Sequence, residues 1–75
     1  MDMFPELRIW REAAAGVPTR LPHDVSSLRS PLDYDAAARA MVEMARSGLM
    51  EIVSRQVERV SEQECITDLV FRRLR

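Results

Sequence analysis

Residues 33–60 read DYDAAARAMVEMARSGLMEIVSRQVERV, and the fold turns on whether this stretch is one element or two. On a helical wheel of about 100° per residue, Tyr34, Ala38, Met41, Val42, Ala45, Leu49, Ile52, Val53, Val57 and Val60 fall within an arc roughly 160° wide. The far side carries Glu43, Ser47, Glu51, Ser54, Arg55 and Glu58. Arg46 and Gln56 interrupt the arc, while Ala36, Ala37, Ala40 and Met44 are apolar outside it. Such a period marks an amphipathic helix. Because the arc keeps its phase across Gly48, the stretch reads as one helix over residues 31–60. Its weak point is Ser47-Gly48, where glycine costs about 1 kcal/mol relative to alanine and a bend would fall.

The start of that helix is well marked. Ser30-Pro31-Leu32-Asp33 offers a capping serine, proline at the first helical position and an acid at the third. Asp35–Arg39 and Glu51–Arg55 are acid-before-base pairs one turn apart, each expected to contribute ~0.3 kcal/mol. At ~1.5 Å per residue the helix would run roughly 45 Å. A globule of 75 residues is only about 30 Å across. The helix would overhang its own domain, and a second copy or a partner protein is the expected cover for its apolar side.

Upstream, Met3, Leu7, Trp10, Ala14 and Val17 recur on one helical face. They predict a first helix over about 3–15, with Pro5 in its first turn, Asp2 or Phe4 as cap and Gly16 at its end. Trp10 should anchor this helix on the long one. Residues 16–30 contain Pro18 and Pro22 and show no strand-like alternation, so they read as a loop, with Asp24 capping a single turn through Leu28. His23 has neither a nucleophile nor a metal ligand nearby in sequence and reads as an exposed or capping histidine.

Downstream, Ser61-Glu62-Gln63-Glu64 has the S-x-x-E form of a capping box. The apolar set that follows (Cys65, Ile66, Leu69, Val70, Phe71 and Leu74) is rotated by roughly 80° from the stripe before Ser61. Together they predict a separate terminal helix over 62–74, with Cys65 as a small buried apolar residue.

Composition excludes several chemistries. All 11 basic side chains are arginine, which removes the lysine of a Walker-type phosphate loop and Schiff-base catalysis. One cysteine and one histidine leave no internal disulfide and no zinc cage. There is no glycine-rich phosphate cradle, no H-x-x-x-H and no C-x-x-C, so no catalytic residue, cofactor or metal ligand is assigned. The net charge of −1 does not point to nucleic acid. No signal-peptide pattern and no apolar run approaching the ~20 residues of a membrane span is present. The expectation is a cytoplasmic chain that does not enter a membrane.

The sequence thus predicts a single all-α domain, a small helical bundle completed by association. Its expected role is that of a non-enzymatic interaction module: an adaptor, a chaperone-like protein or a regulatory or inhibitory subunit. The predicted contact residues are Met41, Met44, Leu49, Ile52, Val53 and Val57, covered by a second copy (a dimer being favoured) or by a larger protein. The alternative is a DNA-binding regulator. Residues 55–74 resemble a helix-turn-helix in outline, and Arg72, Arg73 and Arg75 would meet phosphate. Against it, the turn lacks glycine and Asp68 falls where an apolar residue is wanted.

Overall fold

A computed structural model of the chain describes residues 5–23 and 28–75. Helix α1 spans Pro5–Glu12, strand β1 Pro18–Arg20, helix α2 Pro31–Arg46, strand β2 Met50–Val60 and strand β3 Gln63–Arg73. The strands form one antiparallel sheet in the order β1-β3-β2. The architecture is α+β, which overturns the all-α, helical-bundle expectation. The capping turn expected at Asp24 and the Met3 end of the first helix lie outside the described residues, as do Asp2 and Phe4.

The long helix stops at Arg46. Its end is a Schellman arrangement: Gly48 N–H donates to Ala45 C=O at 3.0 Å and Leu49 N–H to Met44 C=O at 3.3 Å. Gly48 sits at φ +81, a left-handed conformation that suits a residue without Cβ. Glycine is therefore the helix terminator and not a weak point within it. Beyond it the composition changes from alanine and methionine to Ile52, Val53, Val57 and Val60, whose branched Cβ atoms favour a pleated surface. Sixteen helical residues span about 24 Å, within a molecule measuring 35 × 27 × 18 Å. The overhanging rod does not exist.

The start of α2 follows the sequence closely. Ser30 occupies the N-cap, proline the first turn and Asp33 the first-turn acid position, although the Ser30 side chain makes no capping hydrogen bond. Asp35 and Arg39 pair as expected, at 2.9 Å. Glu51 does not pair with Arg55, because in β2 those two residues are no longer one helical turn apart. It pairs instead across the ladder with Arg72.

Residues 61–62 do not cap a helix. Both lie at positive φ, 50 for Ser61 and 66 for Glu62, the pattern of a type I′ turn joining β2 to β3 through the pair Val60↔Gln63. The predicted terminal helix is thus the second strand of a hairpin, and the predicted loop contributes β1. Pro18 is tolerated there because β1 is an edge strand.

Helix α2 packs on one face of the sheet, with the core between it and the strands, and α1 packs against α2 and the border of that core. Leu21, Leu28, Tyr34, Ala38, Met41, Met50, Leu69 and Phe71 are almost fully enclosed. Ala37 and Ala38, both buried, let α2 approach the strands closely. Each large buried side chain contributes about 1.5–3 kcal/mol of burial. Helix α1 is held by Trp10, whose indole N–H donates to Leu49 C=O at 3.2 Å. Arg73 lies over the Trp10 ring at 4.7 Å and donates to the carbonyls of Arg11 and Ala13.

Candidate interaction edge

β3 is the central strand, so each of its sides needs hydrogen-bond partners. On the β1 side, the ladder with β1 covers Val70–Arg72, Gly16 N–H donates to Arg73 C=O at 2.8 Å, and Leu21 N–H donates to Leu69 C=O at 2.8 Å. Beyond that point side chains take over. The Tyr34 hydroxyl donates to Leu21 C=O at 2.6 Å and accepts Leu69 N–H at 3.2 Å. His23 Nε2–H donates to Thr67 C=O at 2.7 Å, and its ring stacks on Tyr34 at 4.3 Å between centroids. Asp35 Oδ1 accepts Ile66 N–H at 2.7 Å. Arg39 Nη2 donates to Glu64 C=O at 3.1 Å. The first turns of α2 thereby act as a surrogate strand, and β3 is supplied with partners along the side beyond the short edge strand β1.

The opposite edge differs. β2 runs for 11 residues, and among the described residues nothing pairs with its outer side. The direction of its backbone groups follows from the bonds just described. Leu69, Ile66 and Glu64 turn their main-chain groups toward β1 and α2. Their ladder partners are Arg55, Val57 and Arg59. In an antiparallel ladder such pairs exchange no bonds with each other, so Arg55, Val57 and Arg59 aim their N–H and C=O groups outward at the open edge.

Those same residues share one face. Between Ser54 and Val60, β2 carries no extra residue, so Arg55, Val57 and Arg59 alternate on one side. Arg55 helps line a groove of about 380 Å³ between α2 and β2, together with Arg39, Val42, Glu43, Arg46 and Ile66. Arg39 is held by Asp35 and Arg46 by Glu43. Among the described residues neither Arg55 nor Arg59 takes part in an ion pair, although Glu64 lies opposite Arg59 on the ladder.

The contact residues predicted from sequence are divided by the fold. Met41 is fully buried in the core, and Met44 and Ile52 are half-buried against it. Leu49 is half-buried in the turn after α2. Val53 and Val57 are the two that reach the surface, at 47% and 49% exposure, and they do so on β2. Of the arginines offered for nucleic acid, Arg72 is engaged by Glu51 and Arg73 by Trp10 and the end of α1, leaving Arg75 exposed. Cys65 is buried, in a strand. Sequence reasoning missed Tyr34, Asp35 and Arg39 as partners of β3 and Arg55 and Arg59 as edge residues.

Burial pushes the Tyr34 hydroxyl above its ordinary value of 10.0. The Leu69 hydrogen bond opposes that rise, Asp68 adds to it and Arg20 opposes it. The group that partners β3 there is thereby kept as a neutral donor. Among the described residues, no helix is long and apolar enough to cross a membrane. The chain matches no protein-family model, no curated protein and no solved structure.

Proposed function

We propose that the chain is a small non-enzymatic protein–protein interaction module, an adaptor or regulatory subunit, whose working surface is the outer edge of β2. The observation that carries this reading is the asymmetry of the sheet. One side of the hairpin is closed by four side chains, Tyr34, His23, Asp35 and Arg39. The other leaves, among the described residues, the outer side of an 11-residue strand without a neighbour. Unpaired N–H and C=O groups along a strand are a ready template for another strand, and natural proteins usually cover or shorten such edges. Strand addition draws affinity from main-chain bonds and specificity from alternate side chains. The apolar contribution comes from Val57 and, at the bulge, Val53.

Affinity capture from the source organism with two baits tests the reading, followed by hydrogen exchange on the recovered complex. The baits are the native chain and Val57→Pro. Val57 directs its N–H outward, so proline there removes no internal ladder bond and is tolerated at an edge. The expected result is a protein retained by the native chain and lost by Val57→Pro, with the amides of Arg55, Val57 and Arg59 protected in the complex. Retention by both baits, with protection on α1 or α2 instead, overturns the assignment.

A further inference from the structure

We infer that the segment received by β2 is an extended, acidic strand from a different protein, with carboxylates at alternate positions facing the α2 side. This rests on the reading of β2 as an interaction edge and adds the chemistry of the partner.

Two independent features meet at the same three residues. The outward main-chain groups of β2 belong to Arg55, Val57 and Arg59. The side chains of those residues form an arginine–valine–arginine row on the face that borders the α2/β2 groove. An added strand must place its own alternate side chains beside that row, because cross-strand neighbours lie about 4.5–5.5 Å apart at Cβ. Carboxylates opposite Arg55 and Arg59, with an apolar residue opposite Val57, satisfy it. Arg55 is the stronger anchor, since among the described residues no acid pairs with it, and it lines the groove. Arg59 has Glu64 opposite on β3 and supplies a weaker one.

The same row disfavours a second copy of the chain. Two β2 strands pairing antiparallel about a two-fold axis normal to the sheet keep their α2 sides on one face, so like-facing residues meet. Centred on Arg55 or Val57, this pairing sets Arg55 opposite Arg55 or Arg59 of the other copy. Centred on Gln56, it sets Arg55 diagonal to both. Guanidinium groups are directly opposed in the first two registers and diagonal neighbours in the third, and like charges opposed across a ladder are destabilising. The bulge at Val53 disrupts registers shifted toward Met50. The edge is thus guarded against itself and open to an acid, a use of repulsion to set specificity.

The test uses the full chain and two closed β-hairpin peptides, which reduce the ordering cost of the probe. One presents TETVTET as its edge strand and the other TKTVTKT, and each is titrated by fluorescence anisotropy at low salt. TETVTET is expected to bind at least about tenfold more tightly than TKTVTKT. Amide shifts should be confined to residues 54–60, and affinity should fall as salt is added. Arg55→Glu, an exposed position, should reverse the preference. Equal affinity for both peptides on β2 would overturn the acidic partner while leaving the interaction edge standing. No binding of either peptide, with β2 amides unmoved, would sink both readings. A concentration-dependent dimer in sedimentation with β2 amides protected would overturn the inference in favour of a second copy.

Discussion

The Tyr34 hydroxyl stands between Leu21 and Leu69, donating to the carbonyl of the first at 2.6 Å and accepting the N–H of the second at 3.2 Å. One side-chain oxygen thus bridges β3 and the chain leaving β1 where their direct pairing ends. Leu21, Tyr34 and Leu69 are all buried, so water cannot replace the hydroxyl without opening the core. Tyr34→Phe keeps the ring and its stacking on His23 but leaves a buried donor and a buried acceptor unmet. The expected cost is about 2–4 kcal/mol, read as a lower urea midpoint at unchanged slope. A loss within ~0.5 kcal/mol would show that the bridge is dispensable.

The same hydroxyl predicts a pH profile. Its proton is held more tightly in the folded state than in the unfolded chain, where the ordinary value of 10.0 applies. Below that value both states are protonated and the contribution of the group is fully present. Above it the unfolded chain releases the proton first, so stability falls as pH rises from about 10 through the higher folded value. Tyr34 is the single tyrosine, and no lysine titrates nearby. Tyrosinate absorbance of the folded chain should therefore appear only above the ordinary tyrosine range, and the alkaline loss of stability should be reduced in Tyr34→Phe. An equal loss in both chains would remove Tyr34 as its source.

Asp35 offers a second test of the covered side of β3. Its side chain is 7% exposed, and its carboxylate accepts Ile66 N–H at 2.7 Å and holds Arg39 Nε through both oxygens, at 3.0 and 2.9 Å. Asp35→Ala strands the Ile66 N–H and releases Arg39 from its place over Glu64 C=O, for an expected loss of about 3 kcal/mol. Asp35→Asn keeps an acceptor for Ile66 and should lose about half as much. The exchange rate of the Ile66 amide separates the two variants, rising strongly only in Asp35→Ala. Equal stability losses in the two would mean that charge, not the acceptor, is what β3 requires.

How much of this was legible in the sequence depends on the element. The Ser30-Pro31-Leu32-Asp33 start and the Asp35–Arg39 pair are local features, and both read correctly. The hairpin did not, because two bulges erase its period of two. Val53 is an extra residue on β2 and Thr67 on β3. The second brings Ile66 and Leu69 to the same side at a spacing of three, which imitates a helix. Ser47-Gly48 and the β-branched run after it carried the signal for a stop and a strand, but the uninterrupted apolar arc outweighed them. The covered side of β3 and the open edge of β2 had no sequence signature at all. They depend on α2 lying beside β3, a relationship between residues some 30 positions apart.

The hairpin turn leaves stability unrealised. Ser61 and Glu62 both adopt positive φ, a conformation costing roughly 1–2 kcal/mol for a residue with a Cβ. Asparagine and glycine are the residues that suit a type I′ turn. Ser61→Asn with Glu62→Gly should therefore raise stability by about 1–2 kcal/mol, with the ladder from Val60↔Gln63 onward unchanged. The check is the denaturation midpoint together with unchanged amide shifts along β2 and β3. An unchanged or lower midpoint would mean that the native pair is supported by contacts beyond its backbone conformation.

Gly48 discriminates the observed fold from the single-helix reading by sign. In a helix running on through residue 48, Gly48→Ala would stabilise by about 1 kcal/mol. Here the residue sits at φ +81 as the left-handed terminator of α2, and a Cβ built on it meets nothing within 4 Å. No crowding enters, so the effect is conformational alone, and Gly48→Ala should destabilise by about 1–2 kcal/mol. Gly48→Asn should cost less, because asparagine tolerates the left-handed region. The ordering glycine, then asparagine, then alanine in urea midpoints is the expected outcome. If alanine proves the most stable of the three, α2 does not end where the Schellman bonds place its end, and the edge strand that follows loses its starting point.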